Sequence, residues 1–189
     1  MSVLLHFVVY DTASGEVRWR GADEFGAAGQ TDLPPVLAAM NVPQAAIIGA
    51  EVDLDPIRVS LAATVDAQAE AARAPFLTRG EGQMLTYAYK ADEARAWEAD
   101  NSVPTPFLAA EAEARGMTVA ALAAEVLEAV ALWTTIGAAI EAARMGAKTA
   151  IAGVTTLTAL AGVSTVDWTG IVTALLPTPA ISTAPNPPA

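Results

Sequence analysis

The hydrophobic rhythm of the chain changes near residue 61: short alternating or bunched apolar runs come before it, and helical spacing follows. Residues 3–10 are β-branched and aromatic, with Val3, Leu5, Phe7 and Val9 on one face and Leu4, His6, Val8 and Tyr10 on the other. Asp11-Thr12-Ala13-Ser14-Gly15 comes next. Asp and Ser bond their own backbone there and Gly accepts positive φ, so a reversal follows, with residues 16–20 as the second arm of a hairpin. Residues 21–41 are rich in Gly and Pro and read as loop with at most one helical turn. Residues 45–48 and 57–61 are two further short apolar runs, predicted as strands on either side of an Asp53-Leu54-Asp55-Pro56 turn. Four short strands make a small β module, residues 1–61, with too little core to stand alone.

Residues 62–74 are alanine-rich with spaced Asp66 and Glu70, a helix stopped by Pro75. A linker is expected over 76–82. Residues 83–99 then place Met84, Tyr87, Ala91 and Ala94 along one helical face. Val103-Pro104-Thr105-Pro106 breaks the pattern, and 107–115 form a short helix ended by Gly116. Thr118 caps a longer helix running to about Ile151. Val119, Val126, Trp133, Ile140 and Ala147 recur every seven residues, with Leu122, Ala129, Ile136, Ala143 and Ala150 between them. That is a coiled-coil-like seam, with Glu125, Glu128, Glu141, Arg144 and Lys148 outside it. Gly137 and Gly146 are expected to admit a close neighbour. The seam either closes an intramolecular hairpin with 83–99 or docks another subunit or partner. Its largest side chains, Trp133, Ile136 and Ile140, together with Trp168, are the partner-binding candidates. Residues 62–162 are thus a helical region, and 163–189 a short helix with a proline-rich tail, expected to be extended and mobile alone in water. The expected fold class is α+β and helix-dominated: a small N-terminal β module followed by a helical hairpin or coiled-coil-like C-terminal half.

Composition narrows the partners. The 189 residues are 53% hydrophobic but only 6% aromatic, so the core forms through close helix packing. A net charge of −11 repels phosphate backbones and anionic membrane surfaces, which argues against nucleic acid despite Arg18-Trp19-Arg20. Residues 149–166 carry no charge, yet five threonines, a serine and two glycines make them a poor membrane span. The start lacks the basic and cleavable pattern of a signal peptide, so a cytosol-like setting is expected.

Catalytic chemistry has little to stand on. The chain has one histidine and no cysteine. His6 lies in the first strand and reads as structural, so no nucleophile–base pair and no His/Cys metal site is expected. Asp53 and Asp55 have the spacing of an acidic metal pair but read as a turn. Gly80-Glu81-Gly82 lacks the third glycine of a dinucleotide loop and the Lys of a P-loop. The expectation is a non-enzymatic protein without cofactor or metal.

The run from Ala74 to Ala96 contains Thr78-Arg79-Gly80-Glu81-Gly82-Gln83 and then Tyr87, Lys90, Glu93 and Ala94. It resembles a segment common in bacteriophage tail proteins, where a "Thr-x-Gly-x-Gly-Gln" turn opens a helix bearing "Tyr-x-x-Lys-x-x-Glu-Ala". The similarity extends through Pro106–Glu111, through Trp133, Ile136, Ile140, Glu141 and Arg144, and to Val166-Asp167-Trp168. Tyr10–Glu16 is similar to the hairpin that begins many tail-fibre-associated proteins. The resemblance covers about two thirds of the chain. It implies a non-enzymatic bacteriophage protein of the tail-fibre assembly and tail-tip group. Such a protein binds a tail-fibre or tail-tip protein, with homo-oligomerisation as a further option, either as assembly factor or as minor virion component. The host cytoplasm during assembly, and the virion tail if it stays attached, are the implied locations. The alternative is a structural or decoration subunit of the head or tail.

Overall fold

The computed structural model describes residues 3–49, 51–77, 80–163 and 165–176, and within them the chain is α+β and helix-dominated. Strands β1 (Leu5–Asp11), β2 (Val17–Asp23), β3 (Leu37–Asn41), β4 (Ile47–Ile48) and β5 (Glu51–Val52) come first. The helices are α1 (Leu54–Arg73), α2 (Glu81–Ala99), α3 (Pro106–Arg115), α4 (Val119–Gly153), α5 (Leu157–Val163) and α6 (Trp168–Leu175). The chain divides into two compact units, Met1–Leu77 with Ala138–Trp168, and Thr78–Gly137 with Thr169–Ala189.

In the first unit β1 lies between β2 and β3 in an antiparallel sheet. The expected reversal is present: the Asp11 carboxylate accepts the amides of Ala13 and Ser14, each at 3.0 Å, and Gly15 takes φ +75°. β2 runs beyond its predicted end because Gly21 lies against the Phe7 ring, where a Cβ would come within 2.7 Å of it. β3 corrects the loop reading of 21–41. Its Leu-Ala-Ala-Met-Asn sequence has weak strand preference and follows two prolines, so only pairing with β1 reveals it. The single 3-10 turn at Gly26–Gly29 is the one turn of helix expected there.

Residues 57–61 are also corrected, from strand to helix. Asp53 caps α1 by accepting the Asp55 amide at 2.9 Å, and Pro56 occupies the first turn, where its missing N–H costs nothing. What read as a turn between strands is a helix start, and the β module ends at residue 53. Ile57 and Val65 of α1 meet Val8 and Tyr10 of the sheet, Ala147 and Ile151 of α4, and Leu157 and Leu160 of α5 in one core. Arg58 of α1 donates to the Val154 carbonyl from Nε (3.2 Å) and Nη2 (2.5 Å), so a cation caps the C-terminal end of α4. Trp168 packs at the edge of this core, its indole N–H donating to Gln68 at 3.0 Å.

In the second unit α2, α3 and the first turns of α4 enclose Ala94, Leu108, Ala112, Leu122 and Ala123. Gly80, at φ +123°, opens α2. Gly116 ends α3 in the left-handed region, with the Met117 amide returning to the Ala112 carbonyl at 2.8 Å. Thr118 Oγ1 accepts the Ala121 amide at 3.1 Å and caps α4 as expected.

The seam of α4 differs from the heptad reading. Leu122, Ile136, Ile140, Ala147 and Ile151 are buried, whereas Ala129 and Ala150 are exposed. A 3.5-residue repeat starting at Leu122 returns at Ala150, and the helix's own 3.6-residue period returns at Ile151. Burial therefore follows the ordinary helical period of a core helix. The charge-free stretch 149–166 is interrupted, since α4 ends at Gly153 and α5 starts at Leu157. The proline-rich tail and part of the linker expected over 76–82 lie outside the described residues.

Candidate partner-docking surface

Ile136 and Ile140 are wholly buried in the fold of the chain, so the structure removes them from the candidate docking surface. Trp133 is half-buried and its indole folds back over Gly137, where a Cβ would meet the ring at 3.3 Å. Gly146, by contrast, has nothing within 4 Å of a Cβ position, so no close neighbour explains it. Trp168 is half-buried and holds Gln68. Of the four candidates, Trp133 and Ile136 belong to the second unit and Ile140 and Trp168 to the first.

The residues of the motif in α2 mostly build the fold. Lys90 is 8% exposed; its ammonium bonds the Glu111 carboxylate at 2.8 Å and lies 4.9 Å from the Tyr87 ring centroid. That bond holds the Glu111 carboxyl below its ordinary range, with Arg115 adding to the effect. Glu93 accepts the amides of Phe107 (3.1 Å) and Leu108 (2.9 Å), capping α3 from a neighbouring helix because Thr105 makes no side-chain cap. Ala94 is fully buried between these elements.

What the same helix leaves uncovered is different in kind. Met84, Tyr87, Ala91 and Ala94 share one face, but only Ala91 and Ala94 are buried. Met84 and Tyr87 continue that stripe into solvent at 61% and 44% exposure. Leu85 and Tyr89, one turn apart, are equally open, and the Tyr89 ring stacks on exposed Phe107 of α3 with centroids 5.4 Å apart and planes within 4°. Single exposed apolar side chains are ordinary, but Leu85 and Tyr89 lie on one side of α2 with Phe107 stacked on Tyr89, while Met84 and Tyr87 open on another side. Sequence reading placed Met84 and Tyr87 on one helical face with Ala91 and Ala94, and did not single out Leu85, Tyr89 or Phe107. The available signal was Met84-Leu85-Thr86-Tyr87-Ala88-Tyr89, an uncharged stretch with large apolar groups on more sides than one helix contact buries.

Other clusters are self-satisfied. Asp66 is bonded by Arg144 (2.6 Å) and Lys148 (2.7 Å), and Glu141 by Arg144 and Arg73, each at 2.7 Å. Arg144 holds Glu141 down to about 2, and Lys148 with Arg144 lowers Asp66. Arg73 also bonds Glu70 at 2.5 Å, so three carboxylates meet three cations and the cluster is neutral. No group of three or more His, Cys, Asp or Glu side chains suited to a metal occurs among the described residues. α4 is long and apolar enough to cross a membrane, with an 18-residue window of mean hydropathy 1.7 that is 17% buried.

Compared with protein-family models, curated proteins and solved structures, the chain matches none.

Proposed function

We propose that this is a non-enzymatic bacteriophage tail-associated protein that binds a tail-fibre or tail-tip protein, as assembly factor or minor virion component. The observation that carries the reading is the exposed apolar face formed by Leu85 and Tyr89 of α2 with Phe107 of α3, lying inside the segments that resemble phage tail proteins. A patch that mixes aromatic and leucine groups suits a protein surface, where aromatic residues anchor contacts. Membrane insertion of α4 is disfavoured because its longest charge-free run lies between Glu128 and Glu141, about 12 residues, where a span needs about 20.

The test is capture of a co-expressed phage tail-fibre or tail-tip protein by the parent and by a Leu85→Ser/Tyr89→Ser/Phe107→Ser variant. The parent is expected to retain the partner and the variant, with unchanged circular dichroism, to lose it. Capture by both would show that the patch is not the contact. The second reading, a decoration subunit, rests on the exposed alanine-rich side of α4, and many copies per particle in mass spectrometry of purified virions would favour it.

A further inference from the structure

We propose that the groove between the β1–β2 turn, β5 and the α4–α5 connection binds an arginine side chain presented by an extended basic segment of a partner protein. The groove lies within the first compact unit, so it does not depend on the reading of the α2 face. Its volume is about 530 Å³, and residues 14–17, 51, 52, 54 and 155–157 line it. Three separate stretches of chain build it. Gly15 holds the turn against the α4–α5 connection, since a Cβ there would meet Thr156 at 3.3 Å. Val17, Val52 and Leu54 are half-buried and pack on the core, and Leu157 belongs to that core, so the inner wall is apolar. Around the mouth Glu16, Glu51 and Thr155 are exposed. An apolar wall under a carboxylate rim matches a long basic side chain, which packs its aliphatic stem and keeps its cation at the water.

Charge selects the occupant. No Lys or Arg lines the groove. Glu16 shares the Arg18 guanidinium with Asp11, each at 3.1 Å, so two carboxylates meet one cation there. The Glu51 carboxylate has no partner among the described residues. This mouth therefore keeps an uncompensated negative charge, whereas the three carboxylates and three cations between α1 and α4 cancel. The hydroxyls of Ser14 and Thr156 are taken by the amides of Glu16 (3.2 Å) and Ala159 (3.3 Å), which leaves the Thr155 hydroxyl as a further acceptor. Several acceptors at one mouth suit a guanidinium, with five donors and weak hydration, better than an ammonium. Openness favours a side chain over a free small molecule. Clefts for free ligands cover roughly 70–90% of the ligand surface, and a groove with an exposed polar rim does not. A side chain on a protein segment brings its own surface to close the mouth.

Titration of the full-length chain with the peptide acetyl-Ala-Val-Arg-Val-Ala-amide, followed by amide NMR, tests this. Saturable shifts at Gly15, Val17, Val52 and Thr156 are expected, with a dissociation constant on the order of 1 mM for a single side chain in an open site. The same peptide with citrulline in place of arginine keeps the shape and loses the charge, and it should bind several-fold more weakly. Glu51→Gln should weaken the arginine peptide several-fold. Glu113→Gln, an equal change in net charge at an exposed position of α3, should leave its affinity unchanged. Absence of saturable shifts at the groove overturns the inference, as does equal binding of the citrulline peptide. Equal weakening by both substitutions overturns it too, because the peptide would then answer to net charge and not to the groove.

Discussion

Asp11 and Glu141 show how single carboxylates tie local geometry to pH. Asp11 is held near 2, against an ordinary 3.8, first by the Ser14 amide, then by the Arg18 guanidinium and the Ala13 amide. Glu141 is also held near 2, first by Arg144. Both values are depressed in the folded state, so the unfolded chain binds more protons in acid. Their contribution is complete above the unfolded values near 4, and is lost as pH falls through the folded values near 2. Thermal melts between pH 5 and pH 2 are expected to fall steadily, and Glu141→Gln should flatten part of that slope. A carboxyl titration placing both groups at ordinary values would refute the assignment. Glu93 makes a separate point at this scale, because two α3 amides depend on it. Glu93→Ala should cost about 1 kcal/mol, the usual value of a lost helix cap, seen as a lower denaturation midpoint. No change would mean that water replaces the carboxylate without loss.

At the scale of elements, the two interior glycines of α4 are expected to behave differently on substitution. Gly146 is exposed and open around its Cβ position, so Gly146→Ala should stabilise the chain by about 0.5–1 kcal/mol through helix propensity alone. Gly137→Ala should gain less, since the Trp133 ring at 3.3 Å must shift. Urea denaturation compares them, and an equal gain at both would show that the indole gives way freely. The long helices were legible because their signals are local: Thr118 and Gly116 mark ends, and alanine-rich periodicity marks bodies. β3 was not legible, because Leu37–Asn41 forms a strand only through its pairing with β1. The start of α1 was misread because Asp-x-Asp-Pro suits a turn and a capped helix equally well, and the choice is made by Ile57 packing inward. Of the exposed apolar residues, Met84 and Tyr87 were legible as part of a stripe on α2. Its exposure was not, because a sequence does not say where the covering elements stop.

On the scale of the whole molecule, the candidate surfaces divide into those the fold uses and those it leaves open, and two charge insertions separate them. Ile140 is fully buried, so Ile140→Asp places an unpaired carboxylate in the interior at a cost of several kcal/mol, a large share of the stability of a domain this size. Loss of helicity by circular dichroism is the expected outcome. Tyr89 is 55% exposed, and Tyr89→Asp adds a charge that stays hydrated. It should leave the melting temperature nearly unchanged while abolishing capture of a fibre or tip protein, because burying that carboxylate in an apolar contact now carries the desolvation cost instead. The pair is informative because both changes add one negative charge to a chain already at −11, so long-range repulsion is the same in each and only the location differs. An Ile140→Asp chain that melts like the parent would show that this part of α4 is not core. A Tyr89→Asp chain that unfolds would show that the ring stack with Phe107 holds α2 to α3 and is not a surface kept open for a partner.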